Sequence, residues 1–301
     1  MLRWRLIIGV LLIAALAGLC WLDAQGVRPG IVLSAIALVV AALAAGEMQR
    51  MFRHRGVHAS PSAIYVASLL PVAASCVPIW FPKALALQTT GNTGWLALGL
   101  AFGVMAALVS EMRRYHEPGK SILNVAHVAL AAFYVGALVG MLVQLRQVNS
   151  PNSIAGWRGL FPLLAMIATV KLSDICQYVV GRSVGRNKLA PSLSPGKTWE
   201  GALGGILLAT VIAAAGIAYV TQGTAGFRMS HLLLAWCYAL SVAVAGIIGD
   251  LAESLLKRDA GVKDSSDWLP GFGGVLDLLD SILFAAPVGY LWALVGVLTP
   301  V

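Results

Sequence analysis

The run Gly201–Thr221, GALGGILLATVIAAAGIAYVT, covers 21 positions without a charged residue. Roughly 20 such residues are what a helix needs to cross the hydrocarbon core of a bilayer. Working outward, eight more apolar runs recur, giving nine at about 5–22, 31–47, 62–81, 94–111, 122–145, 159–181, 201–221, 232–253 and 280–299, of which 31–47 is short. Composition agrees: 59% of the 301 residues are hydrophobic, 11% are charged, and mean hydropathy is +0.83. A soluble domain does not look like this. The expected fold is all-α, a polytopic membrane bundle of about nine transmembrane helices.

The net charge of +8 would raise nucleic acid as a partner in a soluble chain. Here the placement of the charges accounts for it. With the first helix entering from the inside, Arg3, Arg5, Arg50, Arg53, Arg55, Arg113, Arg114, Lys120, Arg182, Arg186, Lys188, Lys197, Lys257, Arg258 and Lys263 fall on the cytoplasmic side. Only Arg28, Lys83, Arg146, Arg158 and Arg228 fall on the other. That asymmetry predicts an N-in, C-out topology, with anionic headgroups, not nucleic acid, as the basic residues' neighbours. The four cysteines lie singly inside apolar runs, which argues against a disulfide or zinc framework. MLRWR resembles the n-region of a signal peptide, but the long apolar stretch after it reads as a retained helix.

The two halves differ in character. Residues 1–150 read as about five bland scaffold spans, and 151–301 as about four spans with polar loops between them. From Lys171 onward, ionisable residues enter or border the membrane, where their cost makes them functional candidates. Lys171 and Asp174 are three apart and share a helix face, either as a structural ion pair or with Asp174 facing a polar cavity.

The segment 181–201, GRSVGRNKLAPSLSPGKTWEG, is a basic loop that contains Gly-Lys-Thr. It is not a nucleotide-binding P-loop, because Pro191 stands where the first glycine belongs and no strand is expected before it. Ser194-Pro195 reads instead as a helix start with Ser194 as N-cap, whose free N–H groups would favour a phosphate.

The segment Ser254–Asp280, SLLKRDAGVKDSSDWLPGFGGVLDLLD, packs Lys257, Arg258, Lys263, Asp264 and Asp277 around a glycine-rich turn. Just before it, Asp250 and Glu253 are three apart at the end of the eighth run; Asp277 and Asp280 are three apart at the entry of the ninth. A connecting loop of 23 residues would let these carboxylate pairs face each other, an oxygen-rich setting that suits Mg²⁺ and, with two ions, phosphoryl transfer. Gly271, Gly273 and Gly274 would let backbone approach a ligand closely.

In these motifs the chain resembles the phosphatidate cytidylyltransferases, or CDP-diacylglycerol synthases. The family's C-terminal signature is matched by Ser254, Lys257, Arg258, Lys263, Asp264, Pro270, Gly271, Gly273, Gly274, Asp277 and Asp280. The SPGKTWEG block and the series Asp174, Tyr178, Gly181, Arg182 also look like this family. The likeness covers about 171–290, and two positions depart: Phe272 replaces the usual His and Leu278 the usual Arg.

The resemblance implies CTP and phosphatidate as substrates, CDP-diacylglycerol and pyrophosphate as products, and Mg²⁺ as cofactor, with a second metal ion and a homodimer left open. It implies Asp250 and Asp277 as metal ligands, with Glu253, Asp264 and Asp280 beside them. Lys257, Arg258, Lys263 and Lys197 would grip phosphates; Asp174, Arg182, Arg186, Lys188, Ser194, Thr198, Glu200, Gly273 and Gly274 would line the substrate site. The expected setting is the cytoplasmic face of a bacterial inner membrane. The rival readings are a different lipid phosphate as acceptor, a catalytically silent homologue and an ion-coupled transporter.

Overall fold

The computed structural model describes residues 2–26, 28–81, 91–116, 118–148, 157–222, 229–268, 271 and 273–298. In chain order the helices are α1 (Leu2–Gln25), α2 (Ile31–His54), α3 (Pro61–Trp80), α4 (Gly91–Arg114), α5 (Ser121–Ala131), α6 (Leu138–Leu145), α7 (Trp157–Val184), α8 (Trp199–Gln222), α9 (Met229–Asp259) and α10 (Val275–Leu294). A π-helical turn, Ala132–Ala137, joins α5 to α6 into one continuous run. Among the described residues eight stretches are long and apolar enough to cross a membrane, and α1 adds a shorter apolar stretch, Gly9–Gln25. The chain is a multi-pass membrane protein of the all-α class, as its hydropathy predicts.

The helices outrun their apolar cores. α2 continues to His54 and α9 to Asp259, each ending in basic residues that suit a helix C-terminus. Gly56 and Gly261 follow at φ +68° and +75°, the left-handed conformation that ends helices. α10 starts at Val275, so Asp277 and Asp280 lie within its first turns, and the connection expected to run 23 residues shortens to 260–274.

Two expectations are overturned: that Ser194 starts a helix and that no strand precedes Gly196-Lys197-Thr198. Ser194 does not cap a helix: Lys188–Ala190 and Ser194–Thr198 form two short antiparallel strands, β1 and β2, and α8 starts only at Trp199. Thr198 takes the capping role, its hydroxyl accepting from the Gly201 N–H at 3.2 Å.

The chain forms two compact units, one of Met1–Gln147 with Asp259–Leu278, the other of Val148–Arg258 with Leu279–Val301. Small residues let helices approach in both, the packing mode that serves where lipid gives no hydrophobic drive. In the first unit, a Cβ on Gly99 of α4 would lie 2.7 Å from the Leu70 carbonyl of α3. The end of the same unit where α1 and α6 finish holds a fully buried ion pair: Arg146 Nε donates to Asp23 Oδ2 at 3.0 Å. Asp23 Oδ1 accepts from the Gly30 and Leu33 N–H groups, which fixes the α1–α2 turn. In the second unit, Gly201 of α8 meets Gly181 of α7, where an added Cβ would sit 2.8 Å from the Gly181 Cα. Gly249 of α9 meets Phe284 of α10 in the same way, at 2.8 Å from its Cβ.

Candidate active site

The β1–β2 hairpin is built by its own charges. Glu200, in the first turn of α8, accepts from the Arg186 N–H at 3.0 Å, the Asn187 N–H at 3.1 Å and Asn187 Nδ2 at 2.6 Å. The Trp199 N–H closes the hairpin on the Asn187 carbonyl at 2.9 Å. These bonds give Glu200 a framework role, since its carboxylate is occupied by the loop itself. They also present Lys197, in β2, to α9.

Lys197 Nζ lies 2.5 Å from Asp250 Oδ2, with both side chains about three-quarters buried. Around this pair stand Lys171 and Asp174 of α7, bonded at 3.3 Å, and Asp280 of α10, whose Oδ1 accepts from Ser281 Oγ at 3.0 Å. Asp174 and Asp280 feel the charges of Asp250 and Lys171, and Asp174 that of Lys197 as well, so three carboxylates and two ammonium groups form one electrostatic cluster. At the end of α9, Lys257 Nζ donates to Glu253 at 2.7 Å, with Glu253 fully buried beneath it. Arg258 Nε donates to the Leu193 carbonyl in the hairpin turn at 3.3 Å. Arg182, exposed at the end of α7, donates to the Tyr178 hydroxyl at 2.9 Å. Arg186 and Lys188 are exposed beside it.

Asp277 belongs to the first unit. Its Oδ2 accepts from the Ser265 N–H at 2.8 Å, Ser265 Oγ at 2.6 Å and the Gly274 N–H at 2.8 Å. Gly273, at φ +83°, is required here because a Cβ would collide with that carboxylate. Gly274 faces a space already filled by Ser265 and Glu47. The protein's own packing accounts for both glycines. Lys263 and Asp264 are exposed on the same loop, while Pro270 and Phe272 lie outside the described residues.

Glu47 of α2 has no counterpart in the sequence reading, although it is fully buried and receives bonds from the 265–276 segment. A carboxylate within a long apolar helix is the signal that marks it. Asp23 is the same kind of omission.

No group of three or more His, Cys, Asp or Glu side chains stands in a metal-ligating arrangement among the described residues. Asp174, Asp250 and Asp280 nevertheless fit Mg²⁺ by chemistry. They are hard oxygen donors, and Mg²⁺ commonly takes one or two carboxylates and completes its shell with water and phosphate.

Comparison with known proteins bears on this arrangement. A phosphatidate cytidylyltransferase of Haemophilus influenzae is 44% identical over 133 residues, which cover 44% of this chain and 45% of that one. One of Bacillus subtilis is 37% identical over 167 residues, 56% of this chain and 57% of that one. One of Pseudomonas aeruginosa is 42% identical over 152 residues, 46% of this chain and 54% of that one. The matched segments span about half the length of these curated relatives. The family match is far longer, and by residues 3–295 the chain belongs to the cytidylyltransferase family.

Proposed function

We propose that this chain transfers a cytidylyl group from CTP to phosphatidate, giving CDP-diacylglycerol and pyrophosphate at the cytoplasmic face of a bacterial inner membrane. The observation that carries the reading is the Lys197–Asp250 pair at 2.5 Å, set among Asp174, Asp280 and Lys171. A cluster of three carboxylates and two ammonium groups within a membrane protein suits a polyphosphate with its cation, since phosphate oxygens can take over the lysines while a cation takes over the carboxylates. Three curated relatives named for this activity support it.

A phosphate oxygen of phosphatidate attacks the α-phosphorus of CTP. The new P–O bond forms as the bond from that phosphorus to the bridging oxygen breaks, and pyrophosphate leaves with the electron pair. Phosphatidate is already ionised near neutral pH, so no side chain has to remove a proton, and catalysis reduces to orientation and charge neutralisation. Lys197 and Lys171 counter the triphosphate charge. Lys257, held in place by the buried Glu253, and Arg258, held by the hairpin turn, offer further cations at the end of α9. Arg182, steadied by Tyr178, and the exposed Arg186 and Lys188 are assigned to the lipid phosphate. Asp250, with Asp174 or Asp280 beside it, would hold Mg²⁺, which would supply charge neutralisation on the phosphates. Asp277 is assigned as a ligand on the strength of the signature motif.

The test is pyrophosphate release by purified protein in detergent with CTP and Mg²⁺, with and without phosphatidate. Release that requires both substrates supports the proposal. CTP binding without release, restored by a prenyl phosphate, would replace the acceptor, a reading motivated by Phe272 and Leu278.

A further inference from the structure

α10 begins without a cap of its own. The first N–H groups of a helix lack intrahelical partners, and the preceding Gly274 has no side chain to accept from them. The acceptor comes from α2 instead. Glu47 accepts from the Val275 N–H and the Leu276 N–H, both at 2.9 Å. The same carboxylate accepts from Ser265 Oγ at 2.8 Å, Ser266 Oγ at 3.1 Å and the Trp268 indole N–H at 3.2 Å. It is wholly buried, and its nearest cation, Arg50, stays 3.9 Å away and more than half exposed. A Cβ at Gly274 would run into both Glu47 oxygens and the Ser265 hydroxyl, so the glycine is what admits the visiting carboxylate.

The cap is linked to Asp277. A capping box has two halves: a carboxylate at the third helical position reaching back to the cap residue's N–H, and a cap side chain reaching forward. Asp277 supplies the first half through the Gly274 N–H, at 2.8 Å. Glu47 supplies the second from more than two hundred residues away in sequence. Ser265 Oγ bridges the halves, 2.8 Å from Glu47 and 2.6 Å from Asp277, its single proton serving one carboxylate at a time.

We infer that Glu47 is a positioning residue for Asp277. It caps α10 in place of residue 274, and through Ser265 it fixes the direction of Asp277 and the fold of the 263–268 loop that carries Lys263 and Asp264. The capping stands on geometry alone; its link to turnover rests on the function proposed above. α2, which reads in sequence as scaffold, thereby supports the loop and the helix start that carry Lys263, Asp264 and Asp277.

Glu47→Gln tests this, because it keeps the size and one oxygen but turns an NH₂ group toward a shell of donors. Hydrogen–deuterium exchange should accelerate in peptides covering 263–278 and stay unchanged in α3 and α4. In the same protein kcat should fall about 10- to 100-fold, the range seen when a group orienting a metal ligand is lost. KM for CTP should hold, which a general loss of folded protein would also leave intact, so the local exchange is the deciding companion. Ser265→Ala is the second variant. It should keep Val275 and Leu276 protected, since Glu47 still caps them, while kcat falls because the bridge to Asp277 is gone. Unchanged exchange in Glu47→Gln overturns the cap, and faster exchange with wild-type kcat overturns the positioning role. If Glu47→Gln does not fold, wild-type kcat in Ser265→Ala overturns the positioning role. Should wild-type protein release no pyrophosphate, the proposed function fails and the exchange result still decides the cap.

Discussion

In the first unit, Asp23, Glu47 and Asp277 are met by donors that the protein itself supplies: backbone N–H groups, hydroxyls, an indole and one buried guanidinium. In the second unit, Asp174, Asp250 and Asp280 face lysines and one another, with Lys197 and Asp250 still about a quarter exposed. A buried carboxylate such as Glu47, both of whose oxygens accept fixed bonds, has spent its lone pairs on geometry, whereas the bonds described for the half-buried Asp277 all fall on Oδ2. A carboxylate paired with a flexible ammonium group can exchange that partner for a cation when a phosphate draws the lysine away. The first arrangement sets positions and the second can bind.

The comparison breaks most sharply at Asp250. Asp250→Asn should lower turnover at least about 10²-fold, the scale of losing one preorganised electrostatic group, while the protein inserts and purifies normally. Turnover near wild type would mean that the second unit's cluster is structural. Next in size is Arg146→Ala, which leaves Asp23 buried without its cation. Breaking such a pair costs about 3–5 kcal/mol, so the thermal midpoint in detergent should drop clearly while turnover per folded molecule persists. A loss of turnover without loss of stability there would erase the distinction between the units.

Smaller again is the effect on stability of Lys171→Met. Its bond to Asp174 spans three residues on a partly exposed face, worth under about 1 kcal/mol. The comparison predicts a larger effect on KM for CTP than on the thermal midpoint, and steady-state kinetics beside a melting curve would show it. Smallest is Arg55→Ala. Arg55 and Asp259 pair on the surface with both side chains more than half exposed, and neither stability nor turnover should move measurably.

How much of this was legible in the sequence depended on the range of the interaction. Membrane spans follow from local hydropathy, and each apolar run has its helix. The Lys171–Asp174 pair follows from helical spacing and is present. The hairpin was missed because Ser194-Pro195 favours a helix start locally, whereas the strands depend on Glu200 reaching back 13 and 14 residues to Asn187 and Arg186. Glu47 was missed for a stronger form of the same reason. Its partners lie 218 to 229 residues onward, so no spacing rule connects them. What a sequence does show is the anomaly, a carboxylate on an apolar helix, whose cost in a membrane marks it as functional. The glycines of the 271–274 turn were read as room for a ligand; two of them make room for the carboxylates of Asp277 and Glu47.

The most direct test of the account follows the label from CTP carrying ³²P at its α-phosphate into lipid, with wild-type protein and Asp250→Asn side by side. The expected result is a labelled lipid that co-migrates with CDP-diacylglycerol, formed only when phosphatidate and Mg²⁺ are present and nearly absent in the variant. Label that never enters lipid in wild-type protein that binds CTP, or enters it equally in both proteins, would contradict it.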